Sequence, residues 1–334
     1  MENILRKITS QEKFSRAEAK ELLIEITESK YSDEQISAIL TGIQMRGVSV
    51  DEILGLRDGL LATGKAIDFT PYDTIDIVGT GGDGKNTFNI STAACFVVAG
   101  AGYKVTKHGN YAASSVSGAS NVLEAHGIKF NNDNSHLKHC LETCGFVYLH
   151  APLFANGMKS AAPARKQIGA LGTASCFNLL GPLVNPCRPN HQLLGVANLA
   201  QMRLYQQVYQ RMGIQFGIVT STDGYDEISL TSDFKVITNH SERIYTPKEI
   251  GMKTAAQSEL FGGETAEDAK RIFDNVLTGK GTEAQNNAVI ANAAFAIQVM
   301  EPEKEIEDCI AIADESLKSG KAAQVLQRYI DLNK

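Results

Sequence analysis

No stretch of 18 consecutive apolar residues interrupts this sequence, so no transmembrane helix is expected. The opening residues, MENILRKITSQEKFS, lack the apolar region of a secretory signal. Internal repeats and low-complexity tracts are absent. Only six cysteines occur among 334 residues, scattered along the chain. That excludes a disulfide framework and points to reduced thiols in a cytoplasmic protein. Basic residues are outnumbered, 32 Lys and Arg against 38 Asp and Glu, for a net charge of −6. This balance argues against nucleic acid as the main partner and leaves room for local basic pockets. No nucleophile-elbow pattern and no Cys–His pair of catalytic spacing is present. Tryptophan is missing altogether, which excludes nothing.

What is present suits a globular protein of about two domains, with 43% hydrophobic residues. Residues 1–66 read as all-helical. Three capping-box patterns, Ser15–Glu18, Ser32–Gln35 and Ser49–Glu52, each precede apolar residues at helical spacing. The faces expected to be buried are Ala19, Leu22, Leu23 and Ile26; then Ile36, Ile39, Leu40 and Ile43; then Ile53, Leu56, Leu60 and Leu61. Gly47 and Gly64 fit helix stops. So small a bundle has little core of its own and needs the rest of the chain, or a second subunit, to cover it.

Beyond residue 70 strands and helices alternate, which argues for a largely parallel sheet with helical cover. Strands are expected at Ile75–Val78, Tyr103–Thr106, Phe146–Leu149, Gln192–Val196, Phe216–Thr220 and Lys235–Thr238. Helices are expected at 91–101, 117–126, 134–144, 200–212, 266–277, 286–299, 303–318 and 321–331. The glycine-rich stretch 157–187 breaks the alternation and is expected to cross back to the helical region.

The first strand breaks into Gly79-Thr80-Gly81-Gly82-Asp83-Gly84, where four glycines leave the backbone bare and free to take positive φ. Asn89-Ile90-Ser91-Thr92 then opens an Ala-rich helix. A glycine loop running into free helix N–H groups is an anion site, although a lone glycine turn is usually just a turn. The second strand ends in Lys107-His108-Gly109-Asn110, which would put a cation and an amide at the tip of a neighbouring strand. Ligands of open α/β sheets sit at those ends. Asp223-Gly224-Tyr225-Asp226-Glu227 follows the fifth strand. Its carboxylates suit Mg²⁺, or the segment is a solvated turn. His136, His139, Cys140 and Cys144 share one expected helix, but their spacing matches no common zinc pattern. Arg165 suits a carboxylate or an ordinary salt bridge.

Nearly end to end, these motifs resemble the anthranilate phosphoribosyltransferase family. The resemblance rests on GLRDG (55–59), GTGGD (79–83), TFNIST (87–92), KHGN (107–110), SSVSG (114–118), FNLLGPLVNP (177–186) and DEISL (226–230). It implies an α/β fold: a helical domain over 1–68, joined by about 165–185, and an α/β phosphoribosyl-binding domain over 72–334 with a mostly parallel central sheet. It also implies an active site at the hinge, a homodimer through the helical domain and a place in tryptophan biosynthesis. Gly79, Gly82, Asp83, Thr87, Asn89, Ser91, Thr92, Lys107 and Ser115 would bind phosphoribosyl pyrophosphate. Gly79, Asn110 and Arg165 would bind anthranilate, and Ser91, Asp226 and Glu227 would hold two Mg²⁺ ions. Tyr111, Val116, Ala119 and Asn121 stand where the family usually has Arg, Lys, Ser and Asp. A usual His pair is missing near Phe154 and Ala155, and 170–176 is longer than usual. Competing readings are a pyrimidine nucleoside phosphorylase on the same architecture and a non-catalytic relative that binds nucleic acid.

Overall fold

The computed structural model describes residues 2–112, 116–173 and 175–334. Ser115 lies outside them. In chain order the first elements are α1 (Glu2–Thr9), α2 (Arg16–Thr27), α3 (Asp33–Met45), α4 (Val50–Thr63), β1 (Thr74–Gly79), α5 (Ile90–Gly100), β2 (Lys104–Gly109), α6 (Ala119–Ala125), α7 (Asn134–Cys144) and β3 (Phe146–His150). Then come α8 (Asn156–Ser160), α9 (Ala162–Ala170), β4 (His191–Gly195), α10 (Leu199–Met212), β5 (Gln215–Ser221), β6 (Phe234–Thr238) and β7 (Glu242–Tyr245). The chain closes with α11 (Ala266–Leu277), α12 (Glu283–Met300), α13 (Ile306–Lys318) and α14 (Lys321–Asn333). It forms two compact units: Met1–Ile67 with Ala151–Arg188, and Asp68–His150 with Pro189–Lys334.

In the helical unit, all three capping boxes form at the starts of α2, α3 and α4. Their expected apolar faces are buried, apart from Leu61, which is only half-buried. Each fully buried Leu or Ile among them contributes roughly 1.5–3 kcal/mol. Sequence periodicity missed α1. It also missed the buried carboxylate of Glu52, which pairs with Arg46 and accepts the Phe14 and Ser49 N–H groups at 2.9 and 2.8 Å. Gly47 stops α3 with φ +74°, as expected. Gly64 does not stop α4 that way: its φ is −89°. Glycine is required there because a Cβ would lie 2.5 Å from the Phe154 carbonyl oxygen.

The α/β unit holds a seven-stranded sheet ordered β3-β2-β1-β4-β5-β6-β7. The first five strands in that order run parallel; β6 and β7 are antiparallel additions. β7 was not expected, because ERIY is a short, largely exposed edge with no apolar alternation. The expected helices all form, with ends within three residues of the bounds read from the pattern. Their apolar cover is densest on α5, where every residue from Ala93 to Val98 is buried.

The strand order reverses at the β1–β4 pair. From β1 the chain moves outward through β2 to β3, then returns to the other side of β1 as β4. A crevice opens beyond the carboxyl ends of strands at such a point. Those two ends are Gly79 and Gly195, partners in register.

Close packing in the helical unit yields a sign test. A Cβ on Gly55 of α4 would stand 2.3 Å from the Arg16 carbonyl and 2.6 Å from the Ala19 Cβ on α2. In an open helix Gly→Ala gains about 0.5–1 kcal/mol; here overpacking of about 1–3 kcal/mol outweighs that gain. Gly55→Ala is therefore expected to lower Tm in a thermal melt, and a higher Tm would show that α2 and α4 are free to separate.

Candidate functional site

The loop after β1 is built by its glycines. Gly81, Gly82 and Gly84 have φ of +68°, +79° and +72°, where a side chain would be strained. Asn89 caps α5 by accepting the Thr92 N–H at 2.9 Å, and its amide donates to the Ser117 carbonyl at 2.7 Å. The free end of α5 thus points its remaining amides at the carboxyl edge of the sheet.

The acidic segment after β5 comes to the same place. Asp226 Oδ2 accepts the Gly81 N–H at 2.6 Å, and Glu227 Oε1 accepts the Ser91 N–H at 3.0 Å. Residues 79–84 and 226–227, far apart in sequence, form one site. The approach requires bare strand ends. A Cβ on Gly79 would lie 2.5 Å from Asp226 Oδ2, and one on Gly195 would lie 1.7 Å from the Asp226 carbonyl.

Electrostatically the site is short of positive charge. Burial, then the adjacent Asp83 carboxylate, pushes the Asp226 carboxyl up from 3.8 to about 7. Burial, then Asp226 and Asp83, raises Glu227 well above the usual carboxylate range. Lys107 is the nearby cation. It is not at a strand tip, as the sequence suggested, because β2 runs on to Gly109 and buries it. Its Nζ donates to the Ile77 carbonyl at 2.6 Å and lies 3.4 Å from Ser91 Oγ. Three acidic oxygen donors fit a hard divalent cation, which would relieve their mutual repulsion. Among the described residues no three His, Cys, Asp or Glu side chains already converge on one metal position. Asp226 and Glu227 are instead turned onto backbone amides.

The remaining expected residues are placed as follows. Asp83 accepts the Lys85 N–H at 3.0 Å. Thr87 bridges to Phe261, and its carbonyl accepts the Ser117 hydroxyl. Thr92 is fully buried; its amide is used by Asn89, while its hydroxyl is buried without a hydrogen-bond partner among the described residues. Asn110 is exposed and accepts the Tyr111 N–H. Asn121 accepts the Ala112 N–H at 3.0 Å, holding the segment after Asn110. Arg165 belongs to the helical unit. Its guanidinium lies 5.9 Å from the Phe177 ring centre, burial lowers its pKa, and it has no carboxylate partner among the described residues. Phe154 and Ala155 are buried in the same unit. His136 and Cys140 are engaged with Asn333.

Sequence reasoning passed over a cavity of about 460 Å³ lined by Lys85, Asn86, Thr87, Tyr225, Gln257 and Phe261. Lys85 Nζ sits 4.7 Å from the centre of the Tyr225 ring. Tyr225 stood inside the acidic motif, and only its neighbours' charge drew notice.

The raised carboxyls carry a pH signature. Between about 3.8 and 7 the folded Asp226 holds a proton that the unfolded chain releases, so this group's contribution to stability falls as pH rises. Asp226→Asn keeps an oxygen for Gly81 and removes the charge. Its Tm advantage over the unchanged protein should grow from about pH 4 to pH 8 in metal-free buffer. An advantage that stays constant would show that Asp226 ionises normally.

Residues 2–64 match the family described as "Glycosyl transferase family, helical bundle domain", and residues 71–323 match "Glycosyl transferase family, a/b domain". The chain is 59% identical to the anthranilate phosphoribosyltransferase of Phocaeicola vulgatus and 54% identical to that of Bacteroides fragilis, covering 100% of each protein and of itself. It superposes on the anthranilate phosphoribosyltransferase of Thermus thermophilus with a TM-score of 0.92 at 30% identity, covering 98% of each chain. Against the Saccharomyces cerevisiae anthranilate phosphoribosyltransferase in complex with PRPP and Mg, the TM-score is 0.89 at 27% identity, covering 99% of this chain and 97% of that one. No described helix is long and apolar enough to cross a membrane. With the strand-end glycines, the amide-lined loop and the acidic segment assembled at one point of the sheet, the chain belongs to the glycosyl transferase family and, within it, to the anthranilate phosphoribosyltransferases.

Proposed function

We propose that this chain transfers the phosphoribosyl group of phosphoribosyl pyrophosphate to the amine of anthranilate, giving N-(5-phosphoribosyl)anthranilate and pyrophosphate, as a step of tryptophan biosynthesis. The observation that most supports this reading is the contact between the Gly81 amide and the Asp226 carboxylate, which joins an anion loop to an acidic cation site. The amides of 79–84 and of the α5 start, with Asp83, Thr87, Asn89 and Ser91, cradle the pyrophosphate and its ribose. Thr92, whose amide also fixes Asn89, offers its unpartnered hydroxyl to a phosphate. Lys107 meets a phosphate from beneath the loop. A role for Ser115 rests on the resemblance alone.

Asp226, Glu227 and Ser91 Oγ would hold two Mg²⁺ ions. When bound, these supply positive charge against that growing on the leaving pyrophosphate. To hold a cation, Asp226 and Glu227 would have to release the Gly81 and Ser91 amides, which would then be free for phosphate oxygens. The role of Gly79 toward the acceptor rests on the resemblance alone; Asn110 hydrogen-bonds the acceptor, and Arg165, lacking a carboxylate partner in its own unit, takes the anthranilate carboxylate. The aryl amine's lone pair is free at neutral pH, so positioning replaces a strong general base. The protein works in the cytoplasm as a homodimer built through its helical unit.

The direct experiment follows anthranilate fluorescence with phosphoribosyl pyrophosphate and Mg²⁺, with pyrophosphate release measured alongside. Loss of fluorescence matched by pyrophosphate is expected. Thymidine cleavage with inorganic phosphate, and no reaction with anthranilate, would replace the reading with a nucleoside phosphorylase. Asp226→Ala and Glu227→Ala should each lower kcat by about 10²-fold or more, comparable to losing one transition-state charge contact. Chelation with EDTA should do the same to the unchanged protein. Turnover unaffected by all three would remove the metal from the reaction.

A further inference from the structure

β3 ends at His150, which pairs in register with Gly109, the last residue of β2. Asn110 follows directly, and its carbonyl accepts the Ser120 N–H at 3.3 Å. His150 therefore stands beside a residue to which the proposed function gives the acceptor. Its ring is held from several sides. Phe130 stacks on it with centroids 4.5 Å apart at 24°, and Tyr111 meets it edge-on at 5.3 Å and 81°. Its Nδ1 lies 2.9 Å from Ser120 Oγ, and Ser120 Oγ lies 2.6 Å from the Tyr148 hydroxyl.

The direction of the protons follows from burial. Tyr148 is buried, and its hydroxyl has no partner but Ser120 among the described residues. If Ser120 donated to Tyr148, the phenolic proton would be buried without an acceptor, an unfavourable arrangement. Tyr148 therefore donates to Ser120, and Ser120 donates to Nδ1 of His150. The neutral imidazole then carries its own proton on Nε2. Burial lowers the pKa of His150, opposed by Glu124, which keeps the ring in this neutral form. Nε2 has no partner among the described residues and is not among the polar atoms sealed from solvent without one.

We infer that His150 is an acceptor-binding, specificity-determining residue: its Nε2–H donates a hydrogen bond to the carboxylate of an aromatic amino-acid acceptor, and Ser120 and Tyr148 are positioning residues that set its tautomer. The inference rests on the proposed transfer to anthranilate and deepens it. It gives the α/β unit a donor of its own for the acceptor's carboxylate. It also gives a reason why a histidine, rather than a plain aromatic ring, stands in the Phe130–Tyr111 stack.

The test is steady-state kinetics with anthranilate, phosphoribosyl pyrophosphate and Mg²⁺. His150→Phe keeps the stack and removes the donor. It should raise the KM for anthranilate about tenfold, the scale of one hydrogen bond to a charged group. The kcat and the KM for phosphoribosyl pyrophosphate should stay within about twofold. Ser120→Ala, which frees the tautomer, should raise the same KM less, and Ser120→Thr should restore it. An unchanged KM for anthranilate in His150→Phe overturns the inference, as does an equal rise in both KM values, which marks a structural effect. If His150→Phe fails to fold, Ser120→Ala decides by the same criteria. An unchanged protein with no anthranilate turnover would instead overturn the proposed function, so the two failures are distinguishable.

Discussion

Two bare strand ends make this site possible. Gly79 and Gly195 are neighbours in register at the point where the strand order reverses, and both lie under Asp226. The Asp226 backbone crosses Gly195 and its carboxylate crosses Gly79, so a methyl group at Gly195 would lift the acidic segment away from the loop and one at Gly79 would turn the carboxylate off it. The two glycines do different things. Gly195 admits a main chain, at 1.7 Å from where a Cβ would stand, which no side-chain rotation relieves. Gly79 admits a carboxylate that is able to turn. The scaffold is therefore fixed where the backbone passes and adjustable where the chemistry lies.

That adjustability has an electrostatic origin. Asp226, Glu227 and Asp83 repel one another, and burial denies them water. The Gly81 and Ser91 amides offset part of this cost, since a carboxylate at a helix N-terminus is favoured. The offset is incomplete, because both Asp226 and Glu227 stay above their usual range. A site in this condition gains twice from a metal–polyphosphate ligand. In the proposed reaction a cation would take the carboxylates, and a phosphate would take the amides the carboxylates leave. Charge on the protein and charge on the ligand exchange partners without exposing either.

Much of this was legible in the chain because it depends on local chemistry. Capping boxes announced α2, α3 and α4, and glycine density announced the loop. The acidic run after β5 announced itself by charge. What was hidden depends on tertiary contact. Lys107 looked like a strand-tip cation because the apolar run stops at Thr106, yet pairing with β3 extends the strand through Gly109. Gly64 looked like a left-handed stop, but it is bare to admit the Phe154 carbonyl. β7 joins the sheet by pairing with β6 and packs Tyr245 on Phe295, contacts that no pattern within ERIY could reveal. His150 lies just past the expected strand Phe146–Leu149 and drew no notice, and only its contacts with Ser120, Phe130 and Tyr111 give it chemistry.

The acceptor side follows the same rule of unmet demand. Arg165 is half-buried and carries a depressed pKa, yet no carboxylate faces it among the described residues, and its contact with Asn178 is long at 3.5 Å. Glu52, in the same unit, shows the alternative. There a buried charge is fully answered, by Arg46 and by two backbone amides. A fold that answers one buried charge so thoroughly leaves another open at a cost, and an uncompensated guanidinium persists most readily where a ligand supplies the anion. The same logic separates the two ends of the proposed reaction. The acidic corner is short of positive charge and Arg165 lacks an anion among the described residues. A donor bound with divalent metal answers the first need, and an aromatic carboxylate answers the second.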